Sequence, residues 1–343
     1  MQAFYPSINT IIAACRIIPA PRFVRDRITQ GNIMAEKKRS EVEIIKENSD
    51  YLRGSLVQSL DNKITGALYP DDTQLIKFHG AYQQTDRDLE SERKTQKLEP
   101  LYSMMIRIRV PAGVATPAQW LRMDELASKY GNGTMKLTTR QAFQLHGIRK
   151  RHLKATIQGF NEVMLDSIAG CGDVNRNVMC SPNPNESKVH AAVWDISRQI
   201  SAEFTPKTSA YYEIWMDGQP VDESQPFNTR PQDAAAATDA EPIYGKTYLP
   251  RKFKIAIAVP PYNDTDIFAN DIGLIAIEKD GELEGFNVAA GGGLGMTFGM
   301  PETFPRLADL LGYVDKKDVL KVCEAIITTQ RDNGNRENRK FSR

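Results

Sequence analysis

The placement of basic residues inside apolar strand patterns constrains this sequence most. Residues 104–110 alternate between apolar side chains and Arg107 and Arg109, which is the pattern of a half-buried strand. Successive side chains of a strand point to opposite faces. We therefore expect the two arginines to lie opposite Ile106 and Ile108, away from the core.

Two more strands carry the same pattern. In the strand predicted over 251–259, Lys252 and Lys254 share one face, and the large apolar residues take the other. Ala256 and Ala258 continue the cationic face, and their small side chains leave room for a flat or bulky group.

A third strand is predicted over 141–146, where Gln144 and His146 oppose apolar residues and Arg140 lies just before them. Each strand alone also fits a solvated sheet face. If the cations converge, the electrostatic repulsion between two of them about 4 Å apart is on the order of 4 kcal/mol at the effective dielectric constant of a protein surface. We therefore expect a compensating anion, which is a polyanionic cofactor, a small anionic substrate or both.

Overall composition gives no reason to expect nucleic-acid or membrane binding. Lys and Arg total 44 against 43 for Asp and Glu, so a basic site must be local. No apolar run is long enough for a membrane span. The four cysteines form no C-x-x-C pair, and we expect reduced thiols in a cytoplasmic protein.

Strand and helix signals alternate, which predicts an α+β (mixed α/β) chain. Residues 116–119 form a capping box with Pro at the first helical position, so a helix should run to about Tyr130. Other helices are predicted over 153–168, 187–204 and 317–328, a strand over 134–137, a hairpin at Asp280–Gly281 and a loop insertion over 218–240. The glycine run at 291–295 fits either a turn or a backbone anion site.

We divide the chain into four segments. Residues 1–33 are acid-poor and Arg-bearing, so they are either an organelle transit peptide or upstream sequence read from a misplaced start; we favour the second. Residues 34–103 read as a polar extended arm with a solvated helix and no core. Residues 104–168 and 169–343 are the two folded parts.

Several sequence blocks in one order resemble the siroheme-dependent sulfite and nitrite reductases, especially their NADPH-linked haem-protein branch. The blocks are YLRG at 51–54, FHGAYQQ at 78–84, LTTRQAFQLHG at 137–147, NRNV at 175–178, YLPRKFK at 248–254 and TTQRD at 328–332. The resemblance implies a ferredoxin-like half-domain over 104–168 and a siroheme-binding mixed-sheet domain over 169–343.

The resemblance also implies six-electron reduction of sulfite to sulfide at siroheme coupled to a 4Fe–4S cluster. It implies that four residues contact sulfite and stabilise developing charge: Arg107, Arg176, Lys252 and Lys254. Crowding would lower the lysine pKa values and make these residues proton donors. It implies siroheme-binding or supporting roles for Lys136, Thr138, Arg140, Gln144, His146, Asn175, Arg251 and Arg331. Lys136 replaces the usual Arg, which keeps charge but loses bidentate geometry.

Within the family, Lys254 decides between substrates, because nitrite-specific relatives usually carry Asn there. We therefore expect sulfite, with a nitrite reductase fragment and a non-catalytic anion- or tetrapyrrole-binding module as alternatives. The family's cluster ligands form C-x5-C and C-x3-C pairs, which this sequence lacks. We expect this chain to supply the cationic wall of the site, formed by Arg107, Arg176, Lys252 and Lys254, and to be inactive alone. It then needs two partners: the haem-protein's missing C-terminal half and an electron-donor flavoprotein or ferredoxin.

Overall fold

The computed structural model describes residues 39–217 and 241–342, which form two β-sheets with helices packed against them. The helices are α1 Glu41–Glu47, α2 Leu56–Asp61, α3 Asp72–Leu75, α4 Glu90–Thr95, α5 Pro117–Tyr130, α6 Lys150–Asn161, α7 Lys188–Glu203, α8 Ala210–Trp215 and α9 Val319–Asn333. The strands are β1 Ala81–Thr85, β2 Tyr102–Ile108, β3 Met135–Leu137, β4 Phe143–Ile148, β5 Met179–Cys180, β6 Ile255–Ala258, β7 Ile272–Lys279, β8 Glu282–Ala290 and β9 Asp309–Asp315. The predictions for 1–33 and 218–240 lie outside the described residues.

The first sheet is antiparallel, in the order β1-β2-β4-β3. Its register places Arg107 opposite Gln144, and Gln144 opposite Lys136. Helices α5 and α6 pack against each other and against this sheet. The predicted capping box is confirmed, since Thr116 accepts from the Gln119 amide and the Gln119 side chain bonds back. Three predicted strands therefore bring polar side chains into one row.

The second sheet is mixed, in the order β5-β6-β7-β8-β9. Strands β5, β6 and β7 are parallel, and β8 and β9 are antiparallel additions. The predicted hairpin is confirmed between β7 and β8, where Asp280 and Gly281 both have positive φ. Helix α7 begins after Ser187 as predicted, and helix α9 extends to Asn333, beyond the predicted end at 328.

The helix predicted over 153–168 is shorter than expected. Helix α6 ends at Asn161, and Met164 has a left-handed φ of 63°. Leu165 and Ile168 are still buried, because the turn that follows the helix packs into the same core. Apolar periodicity therefore continued past the end of the helix and misled the prediction.

The strand predicted over 251–259 is also shorter, since β6 spans only Ile255–Ala258. Ala256 and Ala258 are buried against Met179 and Ile267. The expectation that these alanines leave space for a bound group was wrong, because the 3₁₀-helix Ile267–Ala269 covers them.

The expectation that residues 34–103 contain no core was wrong as well. Leu52, Leu56, Leu75 and Phe78 are almost fully buried in the main hydrophobic cluster. Helix α4, by contrast, has no buried residue and is the expected solvated helix. No helix in the described part of the chain is long and apolar enough to cross a membrane.

Candidate functional site

A cavity of about 710 Å³ lies between the row of polar side chains on the first sheet and loops that lead into the second. Arg107, Arg176, Lys252 and Lys254, which the sequence analysis assigned to substrate, all line it. They come from strand β2, the loop before β5 and the segment before β6. The structure thus brings together side chains separated by up to 147 residues of sequence.

Four of the eight residues predicted to bind or support a cofactor line the same cavity. They are Lys136, Thr138, Arg140 and Gln144. With the four substrate candidates, they give the cavity six basic side chains. This set of donors suits a group with several carboxylates.

The other four predicted cofactor residues lie outside the lining of this cavity. Arg251 lines a smaller neighbouring cavity of about 370 Å³ that shares Arg107 and Arg176 with it. The Nε2 atom of His146 lies 3.4 Å from the Gln144 amide. Asn175 is buried and forms a bridge with Phe253.

Arg331 lies on α9, where its Nη1 atom donates to the Ile243 carbonyl at 2.6 Å. It also pairs with the neighbouring Asp332. These contacts give Arg331 a structural role in holding α9 to the segment around residue 243.

Sequence reasoning missed several lining residues, including two acids. Asp264, Asp266 and Asn270 belong to the loop between β6 and β7, and Thr139 and Gln141 lie inside the 137–147 block but were given no role. The acids partly compensate the six basic groups, which the sequence argument did not foresee. No strand pattern marks this loop, whereas Thr139 and Gln141 adjoin Arg140 and were within reach of prediction.

Loop hydrogen bonds hold the cationic side chains in place. The Arg176 amide donates to the Phe253 carbonyl at 3.0 Å, and its Nη2 donates to the Gly172 carbonyl at 3.1 Å. Arg140 Nη2 donates to the Asn177 carbonyl at 3.0 Å. The Asn177 amide nitrogen in turn donates to the Arg140 carbonyl at 2.8 Å. The loops at 140 and 172–177 therefore form one bonded unit.

The electrostatics show that the cations are close neighbours. Burial lowers the pKa of Arg176, and the charges of Arg107 and Arg251 lower it further. Burial likewise lowers the pKa of His146, with Lys136 and Arg107 adding to the effect. His146 is therefore neutral at pH 7 and available as a hydrogen-bonding group rather than as a cation.

Arg109 is not part of this wall, contrary to the expectation from strand alternation. Its side chain is only 3% exposed, and it forms a bidentate pair with Asp166 at 2.8 and 2.7 Å. It also donates to the Thr205 hydroxyl at 2.6 Å. Strand β2 ends at Ile108, so strict alternation no longer applies at residue 109.

The glycine run at 291–295 continues from β8 as irregular chain rather than as a turn, and Gly293 forms an antiparallel bridge with Arg306. The amides of Gly291, Gly292 and Gly293 donate to the carbonyls of Asp271, Asn270 and Arg306. Since these donors are already used within the fold, the alternative of a backbone anion site loses its support.

The described residues do not supply a metal centre. They contain no group of three or more His, Cys, Asp or Glu side chains suited to a metal ion. Cys171, Cys180 and Cys323 are separate buried thiols. The site thus fits an anionic tetrapyrrole by its donor chemistry, but these residues do not fit a thiolate-bound iron–sulfur cluster.

The fold and site together define an α+β protein with a cation-lined cavity for anionic groups. Two family descriptions match the chain: the nitrite/sulfite reductase ferredoxin-like half domain at residues 97–163, and the nitrite and sulphite reductase 4Fe-4S domain at residues 196–343. The chain belongs to the nitrite and sulphite reductase family.

Curated relatives agree with this assignment. The sulfite reductase (NADPH) hemoprotein beta-component of Staphylococcus epidermidis is 56% identical over 308 residues, covering 90% of this chain and 52% of the relative. The protein of the same name from Shewanella oneidensis is 56% identical over 311 residues, covering 90% and 53%. The chain therefore spans about half the length of these relatives.

A solved structure confirms the fold. The Mycobacterium tuberculosis NirA protein superposes with a TM-score of 0.63 at 20% identity, covering 89% of this chain and 49% of that one. The predicted α+β class and ferredoxin-like half-domain are thereby confirmed.

Proposed function

We propose that the chain is part of an assimilatory sulfite reductase haem-protein and that its cavity holds sulfite beside siroheme. The overall reaction is the six-electron reduction of sulfite to sulfide. The observation that carries this proposal is the convergence of Arg107, Arg176, Lys252 and Lys254 on one cavity. The choice of sulfite as substrate and of a haem as cofactor follows the names of the 56%-identical relatives.

The four basic side chains act on the substrate through charge and hydrogen bonds. Arg107 and Arg176 present planar guanidinium groups that suit two oxygens of an oxyanion. Lys252 and Lys254 present point charges and protons. As S–O bonds break, negative charge develops on oxygen, and fixed cations stabilise it without reorganising. The lysine ammonium groups also supply protons to the departing oxygens.

Four side chains of the cavity are suited to hold the carboxylates of siroheme: Lys136, Thr138, Arg140 and Gln144. Arg251 lines the neighbouring cavity, and His146 lies next to Gln144. Siroheme, when bound, supplies the iron through which electrons reach the substrate. Asn175 and Arg331 fit a supporting role, because their described contacts are with the fold.

The described residues offer no cluster ligands, so we propose that the thiolates of the 4Fe–4S cluster come from outside them. Electrons come from a separate flavoprotein, in keeping with the NADPH in the relatives' names, or from a ferredoxin. We also propose a cytoplasmic location, because the described cysteines are unpaired thiols.

Titration calorimetry with sulfite tests the substrate site. We expect saturable binding that weakens about fivefold or more in Lys252→Gln and in Lys254→Gln, because each loses a charge worth about 1 kcal/mol or more. Lys317→Gln is the matched control, since that side chain is 76% exposed and pairs only weakly with Asp315 at 3.9 Å. Equal effects of all three variants would contradict the proposal.

A second candidate function, a non-catalytic anion-binding module, is favoured by the lack of a metal-binding group among the described residues. Expression with a siroheme supply, followed by absorbance and methyl-viologen-driven turnover, tests both candidate functions against a third, that the isolated chain is a complete enzyme. We expect the isolated chain to show no turnover. Turnover would refute our proposal that the cluster ligands lie elsewhere.

A further inference from the structure

We propose that Cys171 is a positioning residue for the substrate site: its sulfur accepts a hydrogen bond from the Arg107 guanidinium and fixes that group beside the cavity. This inference rests on the proposed function, because it assumes that Arg107 contacts substrate. Cys171 itself does not line the large cavity and lies behind Arg107, on the wall of the smaller one.

The guanidinium is held at both edges. On one edge, Arg107 Nη1 donates to the Cys171 sulfur at 2.8 Å, with the Gly170 carbonyl at 3.4 Å. On the other, Gln144 faces Arg107 across the β2–β4 pairing. With its amide oxygen turned toward Arg107, Gln144 accepts from Nε at 3.0 Å and from Nη2 at 2.5 Å. The plane of the guanidinium is thus fixed before an anion arrives.

Two glycines allow the thiol to come this close to the strand. A Cβ atom on Gly170 would lie 2.2 Å from the Arg107 carbonyl oxygen. Gly172 has a φ of 86°, and a Cβ there would lie 2.8 Å from the Phe78 ring. Only glycine fits either position without displacing backbone or core. The loop is therefore built to press residue 171 against the Arg107 side chain.

The chemistry of the acceptors separates Arg107 from Arg109, two residues along the chain. Arg109 is bound by the Asp166 carboxylate, which cancels its charge. Around Arg107 the described acceptors are a cysteine sulfur, an amide oxygen and a backbone carbonyl oxygen, and none is a carboxylate. A thiol is a weak acceptor, so it orients the guanidinium without competing strongly with a bound oxyanion.

Three variants of Cys171 distinguish its effect on the orientation of the Arg107 guanidinium from an effect on the charge of that group. Cys171→Ser keeps a hydrogen-bond acceptor at the same position, and sulfite affinity should stay within about twofold. Cys171→Ala removes the acceptor, and affinity should fall about tenfold, as for one lost hydrogen bond to a charged group. Cys171→Asp holds Arg107 more tightly but neutralises it, and affinity should fall further than in Cys171→Ala. Cys323→Ala, a change at another buried thiol, is the control and should bind like the wild type.

A second measurement does not depend on sulfite. The Nη1–H resonances of Arg107, the group that donates to Cys171, should exchange slowly with water in nitrogen-15 NMR spectra of wild type and Cys171→Ser. They should exchange faster in Cys171→Ala, where the guanidinium is held at one edge only. If wild type binds no sulfite, the proposed function fails, and this comparison still tests the positioning role. Unchanged exchange in Cys171→Ala would overturn the inference, even if Cys171→Asp fails to fold.

Discussion

Replacing Glu43 by glutamine should destabilise the protein more than replacing Lys46, although the two side chains form one buried pair. Lys46 and Glu43 are both fully buried, with Nζ 2.5 Å from Oε1. Asp173 lies 3.5 Å from the same ammonium and binds Arg339 at 2.6 and 2.9 Å. Arg336 pairs with the other oxygen of Glu43. The cluster therefore joins α1, the 173 loop and the tail around three cations and two carboxylates.

The balance of positive and negative charges left in the cluster sets the expected loss of stability in each variant. Glu43→Gln leaves three cations around one carboxylate, with Lys46 buried, and breaking a buried pair in this way costs about 3–5 kcal/mol. Lys46→Met leaves each carboxylate with its own arginine. It loses chiefly the 2.7 Å bond to the Leu249 carbonyl, which costs about 1–3 kcal/mol.

Urea unfolding, extrapolated linearly to water, measures both free energies. The exposed pair of Lys188 with Glu282 supplies the control, and Lys188→Met should leave the free energy of unfolding nearly unchanged. If Lys46→Met were as destabilising as Glu43→Gln, or more so, the charge-balance reasoning would be wrong.

Three further predictions follow from individual contacts. His79 donates from Nε2 to the Leu52 carbonyl and accepts from Trp215, and burial lowers its pKa to about 4. Since unfolded histidine takes up a proton near pH 6.5, stability should fall by about 3 kcal/mol as the pH drops from 6.5 to 4, and His79→Gln should remove this component in urea unfolding. Lys254→Asn should reduce the preference for sulfite over nitrite about fivefold in calorimetry. The lost lysine charge attracts the sulfite dianion about twice as strongly as the nitrite monoanion. An unchanged preference would reject Lys254 as the residue that discriminates between them. Thr116→Ala should cost about 1 kcal/mol of stability by removing the α5 cap, measured by thermal melting, and no loss would argue against the capping box.

Local sequence patterns predicted much of the fold, because helix caps and turns are stabilised by interactions between residues close together in sequence. The capping box at Thr116 and the turn at Asp280–Gly281 depend on residues next to each other, and both are confirmed. Alternation also drew attention to Arg107, Lys252 and Lys254, which line one cavity, although both lysines lie before β6 begins.

Long-range packing was not predictable in this way. Arg109 meets Asp166 and Thr205, which lie 57 and 96 residues away. The two acids of the 264–266 loop reach the cavity through the topology of the second sheet, and no pattern in their own segment indicates it. Sequence alone therefore indicated cations that line the cavity but not that the fold neutralises Arg109.

A crystal structure of the chain soaked in sulfite tests the central claim most directly. The account predicts sulfite in the large cavity, within hydrogen-bonding distance of Arg107, Arg176, Lys252 and Lys254. An empty cavity at saturating sulfite, or sulfite bound only elsewhere, would contradict it.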